Sequence, residues 1–475
     1  MVGGFSVSMK KLLENKWLVP VVVFVAIIAS RLASTIYYLE DPDSLRFALG
    51  AIRFDLVKLQ PHFPGYPVFI ALVKPIYALL SSFALSFSII GALSTFIIIW
   101  GIKFFVKNQN STLWLLLLTF FNPLMWLMAN RYMPDLLGTA MVFGVFGLLI
   151  QINKWKEAKF LLLLLVGLLA GTRLSYLPMV FLPTVYTLFW SGDKLKMWIV
   201  LIFSSLVWLA PMVWITGFEE LVKAAVTHTD GHFNQWGGAI SEGEKYFIRF
   251  TETLESLWAD GFGAYWWPRS WLTVIVGFGV LGGLVLGVFQ QRFKLSFAER
   301  MLLWSGFIYL IWIFFYQNVV YKPRHVLPLI PLIIIYLSRG FQRVWESGKV
   351  GQVILGVFFV AYISVSLSLV IAHKTPSAVA ESAEFLKEKI KPGAFVASTN
   401  LVNEYLQAYD LPATFVNIEE GTILMDSLIL AGEKVFAVGI FDREFPIIEN
   451  DKKVFYHNPY VNRMWPKMEV RIFND

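Results

Sequence analysis

The 475 residues include no cysteine. That removes disulfides, thiolate nucleophiles and thiolate metal sites together, and leaves the compartment open, because an exported domain can also fold without disulfides. Charge is scarce too: Asp, Glu, Lys and Arg make up 15% of the chain, against about 25% in ordinary soluble domains. With 57% hydrophobic residues, this excludes a conventional cytosolic enzyme and a disordered chain. Two motifs are missing as well: the Gly-x-x-x-x-Gly-Lys-Ser phosphate loop and the Gly-x-Ser-x-Gly elbow. Their absence argues against an ATPase and a lipase.

What the chain does have is apolar runs, such as Trp17 to Ser30, Thr112 to Ala129 and Val350 to Ala372. The longer of these runs suffice to cross about 30 Å of hydrocarbon as helices. The expected fold is therefore a polytopic α-helical membrane protein. Basic residues cluster at Lys10, Lys11 and Lys16, at Lys103 and Lys107, and at Lys154, Lys156 and Lys159. Further clusters are Lys194 and Lys196; Arg292, Lys294 and Arg300; and Arg339, Arg343 and Lys349. If all of these face the cytoplasm, the N-terminus does too. The formal charge of +7 is then an orientation signal and not a nucleic-acid-binding patch.

Threading helices between the clusters gives spans at 17–36, 87–106, 112–130, 137–152, 159–171, 177–190, 197–216, 271–290, 300–316, 326–338 and 350–371. The apolar stretch 66–82 would reverse every later loop if it crossed, so it is read as re-entrant or membrane-parallel. Counting the ambiguous stretches, the total is about 11 to 13 transmembrane helices. On this topology 1–372 is the membrane domain, with external loops 37–65 and 217–270. Residues 373–475 form an extracytoplasmic domain. Alternating patterns at Ala394 to Ser398, Ala413 to Ile418 and Lys434 to Ile440, with helical stretches at 377–390 and 401–409, make it a small α/β domain.

The first external loop carries Glu40, Asp41 and Asp43 within four residues. Asp41 or Asp43 suits the N-cap of a helix starting near Ser44. The alternative is a general base, which needs a carboxylate aimed at a bound acceptor and shielded by neighbouring helices. The loop ends in Pro61-His62-Phe63-Pro64-Gly65-Tyr66-Pro67, a rigid backbone that serves either as a membrane-entry turn or as a ligand contact. In the second loop, His228, Asp230 and His232 have a spacing that admits a divalent metal, but no third His or Cys is present to complete a strong site. Tyr265-Trp266-Trp267 suits an interfacial anchor.

Taken in order, Asp43-Ser44-x-x-Phe47, Pro61-His62-x-Pro64-Gly65-Tyr66-Pro67, Arg131 to Asp135, Ala170 to Arg173 and Tyr321 to Pro328 resemble the GT-C superfamily of membrane glycosyltransferases. The similarity is to the protein O-mannosyltransferase and aminoarabinose-transferase branch. It implies an inverting hexosyl- or pentosyltransferase that takes a sugar from a polyprenyl-phosphate-linked donor to a hydroxyl on a protein, lipid or glycan. The family's catalytic base, carried over, falls on Asp43, with Asp41 as the competing assignment. A phosphate leaving group calls for cations. Arg173, Lys322 and Arg324, with His325 beside them, lie at helix ends on the same side and are the candidate donor-phosphate residues. His62, Tyr66, Asp135 and His232 are the candidate contacts for acceptor or sugar. No cofactor is required by the motifs, and the family is mixed on divalent metals. A transporter or flippase of a lipid-linked sugar is the competing function. It would favour charged residues in mid-span and internal repeats, whereas here the polar residues collect at one face.

Overall fold

The computed structural model describes residues 18–106, 108–190, 192–234, 246–291, 295–419 and 421–474. The basic residues at 10, 11, 16, 107, 292 and 294 lie outside the described residues. In chain order the helices are α1 Leu18–Ala33, α2 Pro42–Ile52, α3 Pro67–Leu80, α4 Phe83–Lys103, α5 Gln109–Phe120, α6 Pro123–Asn130 and α7 Asp135–Gln151. They continue as α8 Ala158–Thr172, α9 Leu177–Trp190, α10 Lys194–Thr216, α11 Phe218–Asn234, α12 Tyr246–Glu255, α13 Trp271–Gln291, α14 Phe297–Tyr316, α15 Leu329–Glu346 and α16 Lys349–Lys374. The C-terminal part adds α17 Ala378–Lys389, α18 Asn400–Gln407 and α19 Ile423–Leu430.

Among the described residues, five helices are long and apolar enough to cross a membrane: α4, α10, α13, α14 and the one beginning at Lys349. The pair α5 and α6 passes the same test when taken together, and α1, α3, α7, α8 and the stretch Leu174–Trp190 are shorter apolar helices. The chain is thus a multi-pass membrane protein. Most exposed large hydrophobic side chains lie on these helices, such as Ile202, Phe203, Leu206 and Val207 of α10, the face a bilayer would cover.

Two expectations change. The span read at 112–130 is two helices meeting at 51°. Pro123 opens the second, and Asn122 caps it by accepting from the Met125 N–H at 2.9 Å. Both residues favour a helix start, so one straight span cannot run through them. The helix read at 326–338 starts later and runs to Glu346. Two of its polar residues face inward: Arg339 ion-pairs with Glu299 and donates to the Phe105 carbonyl at 2.7 Å, and Gln342 accepts from Ser111. The stretch 66–82 yields α3, fourteen residues and so about 21 Å long.

The C-terminal part folds around a five-stranded sheet: β1 Ala394–Ser398, β2 Ala413–Asn417, β3 Val435–Gly439, β4 Asp451–Tyr456 and β5 Lys467–Phe473, in the order β2-β1-β3-β5-β4. β1 is parallel to β2 and β3, while β5 runs antiparallel between β3 and β4. The first three strands and two helices match the sequence pattern. Helix α19 and strands β4 and β5 are additional. The core of this sheet reaches Leu45 on α2, whereas Phe47, Ala48 and Ala51 of the same helix belong to the core of the membrane part. Helix α2 is therefore clamped between the two.

Candidate active site

Asp43, His62, Tyr66, Asp135, Arg173, Lys322 and Arg324 each stand in the first or last turn of a helix or in a loop, where backbone groups are free and polar side chains do not have to enter the bilayer. Asp41 is the N-cap of α2, accepting from the Ser44 N–H at 2.7 Å, and Pro42 occupies the first helical position. The capping reading thus applies to Asp41. Burial raises its carboxyl above the usual range, and the neighbouring Asp43 and Glu40 add to this. Asp43 lies in the first turn, where the helix dipole favours a negative charge.

The two oxygens of Asp43 have different surroundings. Oδ2 accepts from Arg324 Nη2 at 2.7 Å and Lys322 Nζ at 3.2 Å. Oδ1 faces His62 Nδ1 and Arg46 Nη1, both at 3.8 Å, beyond hydrogen-bond reach. Burial alone would raise the Asp43 carboxyl, but Lys322, His62, Arg324 and Arg46 outweigh it and hold the group well below the usual carboxylate range.

From Asp43 the contacts run around a closed ring. Arg324 Nε lies 3.9 Å from Asp135 Oδ1, and Arg173 Nη2 lies 2.9 Å from the same oxygen. Arg173 Nη1 donates to the Tyr66 hydroxyl at 3.1 Å, and that hydroxyl is 3.1 Å from His62 Nε2. His62 then returns to Asp43. With the Tyr66 proton directed to His62 Nε2, the neutral imidazole carries its own proton on Nδ1, facing Asp43. Burial, reinforced by Arg46, His228 and Lys322, outweighs the attraction of Asp43 and keeps His62 neutral.

Local sequence explains these placements. Gly65 takes a φ of +84° and Tyr66 one of 48°. The latter is left-handed backbone that a tyrosine adopts at a cost, so the surrounding contacts must hold it there. Gly138, one turn into α7, admits the Arg173 stem: a Cβ at this position would lie 2.9 Å from Arg173 Cβ. Tyr176 donates to Asp135 at 3.4 Å. His325 is buried beside Arg324, its carbonyl accepting from the Tyr309 hydroxyl at 2.8 Å.

The structure brings Asp43, His62, Tyr66, Asp135, Arg173, Lys322 and Arg324 into this one network. His228 joins from α11 by stacking on the His62 ring, centroids 5.5 Å apart. His232 lies in α11, and its side chain is outside the described residues. Among the described residues no group of three or more His, Asp or Glu is arranged to hold a metal ion. Arg46 and Glu404 are additions that the motifs did not single out. The Arg46 position, three residues after Asp43, was the available signal.

Several buried polar atoms of the network lack a hydrogen-bond partner: His62 Nδ1, the Nε atoms of Arg173 and Arg324, and Ser44 Oγ. The two arginine Nε atoms are N–H donors that a water or a bound ligand can satisfy.

No family model matches the chain, and no curated protein matches it by sequence. Its structure is similar to that of ArnT from Cupriavidus metallidurans bound to undecaprenyl phosphate, with a TM-score of 0.57 and 13% identity over 96% of this chain and 98% of the other. It is similar to the apo state of ArnT with a TM-score of 0.57 and 14% identity over 95% and 97%. Near-complete coverage of both chains at this identity is a likeness of fold, extending from the membrane helices through the C-terminal sheet. This protein has the GT-C fold.

Proposed function

We propose that the chain is an inverting glycosyltransferase that moves a sugar from a polyprenyl-phosphate-linked donor to a hydroxyl acceptor, with Asp43 as general base. The observation that carries this reading is the division of labour within Asp43: Oδ2 holds two cations and Oδ1 has no bonded donor. The donor phosphate competes with the carboxylate for Arg324 and Lys322. As they turn to the phosphate, Asp43 loses the charges that suppress its basicity. The acceptor hydroxyl then gives its proton to Oδ1 while its oxygen attacks the anomeric carbon. The bond from that carbon to the phosphate oxygen breaks, and its electron pair leaves with the phosphate onto the cations. A single displacement inverts the anomeric centre.

The binding of undecaprenyl phosphate to ArnT supports a phosphoprenyl donor here, since Arg173, Lys322 and Arg324 supply the charge such a group requires. In this reading residues 373–475 form a domain over the external face, as the basic clusters imply. His62 and Tyr66 contact the acceptor or sugar, and Asp135 sets the position of the two arginines. A divalent ion, if bound, would be one drawn to the phosphate. The test is release of free undecaprenyl phosphate from a set of undecaprenyl-phosphate-linked hexoses and pentoses. Asp43→Asn should lose at least about a thousandfold in rate. Turnover close to wild type in that variant would move the base elsewhere.

A further inference from the structure

The C-terminal domain reaches the site through Glu404. Glu404, on α18, receives Arg46 in a fork, Nε to Oε1 at 2.8 Å and Nη2 to Oε2 at 2.5 Å. The third nitrogen of that guanidinium, Nη1, is the one standing 3.8 Å from Asp43 Oδ1. A bidentate pair fixes the plane and position of an arginine as well as its charge. Arg46 is only 15% exposed, so few other partners are available to it.

We propose that Glu404 is a positioning residue, by which the C-terminal domain holds Arg46 off Asp43 Oδ1 and keeps that oxygen open to the acceptor hydroxyl. The inference rests on Asp43 being the base. Other charged and titratable groups face Asp43 from every side: Asp41 on its own segment, His62 and Tyr66 from the proline-rich loop with His228 behind them, and Lys322 and Arg324 from the turn before α15. Unlike these groups, Arg46 has its fork committed to the C-terminal domain. The pair is not what attaches the domain. Tyr405 donates to the Leu39 carbonyl at 2.6 Å, Ser377 donates to the Glu40 carbonyl at 2.8 Å, and Arg131 bonds both Glu40 and the Val461 carbonyl.

Without the carboxylate at 404, Arg46 moves about 1 Å onto Oδ1 and bonds it. Oδ1 is then blocked, and Asp43 loosens its hold on Arg324 and Lys322, which become freer for phosphate. The signature is slower turnover with tighter phosphate binding, a combination that simple loss of a structural ion pair does not produce.

The experiment uses the full-length protein in detergent, undecaprenyl phosphate as the binding probe, and release of undecaprenyl phosphate from its sugar-linked forms as the turnover assay. Glu404→Gln should bind undecaprenyl phosphate about fivefold to tenfold more tightly and turn over at least about tenfold more slowly. Glu404→Asp should restore both values toward wild type. In an Arg46→Gln background, Glu404→Gln should change neither. Equal effects of Glu404→Gln with and without Arg46, or weaker binding together with slower turnover, would overturn the inference. Failure of wild-type protein to bind the probe would sink the parent reading as well. Binding that ignores position 404 would sink this inference alone.

Discussion

Asp43 and Arg324 stand 281 positions apart in the chain and 2.7 Å apart in the fold. Their contact joins the first turn of α2 to the turn before α15, and it sets a carboxylate against a cation that a phosphate would also bind. Most of the site's expected chemistry follows from that competition.

Arg324 and Lys322 carry different weights in it. Arg324 bonds Asp43 and faces Asp135, while Lys322 reaches only Asp43 and is the more exposed. Arg324→Gln should weaken undecaprenyl phosphate binding by about tenfold to a hundredfold, and Lys322→Gln by less, following the strength of bonds to charged groups. Titration with the labelled lipid checks the order; an unchanged affinity in both would remove their phosphate role.

Glu40 anchors the same loop from the opposite side. It is fully buried, bonded to Arg131 at 2.5 Å and to His373 Nε2 at 3.1 Å. Burial alone would raise its carboxyl, but Arg131, His373 and His457 outweigh it and bring it down to about 2. A depressed carboxyl contributes stability that is present above its unfolded value, near 4.5, and is lost as pH falls toward 2. Glu40→Gln leaves Arg131 buried with one carbonyl partner, so it should cost about 3–5 kcal/mol. The variant's melting temperature should also lose the acid dependence seen in wild type over that window.

Asp260 has the opposite sign. It is buried beside Glu255 and paired with Arg463 from the C-terminal domain. Burial, with Glu255 adding, exceeds the pull of Arg463 and pushes its carboxyl up to about 7. The folded state therefore holds a proton that the unfolded chain releases near pH 4, and stability falls as pH rises from about 4 to 7. Asp260→Asn should flatten that decline in a series of thermal melts; an unaltered slope would show that the group titrates elsewhere.

The orientation is tested without a cysteine-free background having to be engineered, since the chain has none. Lys58→Cys and Asp230→Cys should react with an impermeant maleimide on intact cells. Lys154→Cys should react only after the membrane is opened. The reverse pattern would invert the topology.

Much of this arrangement is legible in the sequence, because these residues sit in short motifs at helix ends. Asp43, the His62 to Tyr66 loop, Arg173 and Arg324 each stood out as polar residues stranded between apolar runs. What was not legible depends on pairing across hundreds of residues. Nothing near Glu404 marks it as the partner of Arg46, and Glu40 reads as one of three adjacent carboxylates until Arg131 and His373 are seen around it. The break between α5 and α6 was written as Asn122-Pro123, but hydropathy alone ran the two helices together. Strand β4 is hard to read because Asp451, Lys452 and Lys453 are consecutive charges, whereas Lys467 to Phe473 alternates charged and apolar residues and was a strand signal open to reading.

The central claim is that Asp43 and the donor phosphate compete for the same cations. Binding of undecaprenyl phosphate to Asp43→Asn measures this directly. Removing the carboxylate's charge should free Arg324 and Lys322, so the variant should bind the lipid about tenfold more tightly than wild type while failing to turn over sugar-linked donors. Weaker binding in Asp43→Asn would contradict the account, because it would make Asp43 part of the phosphate site's support and not its rival.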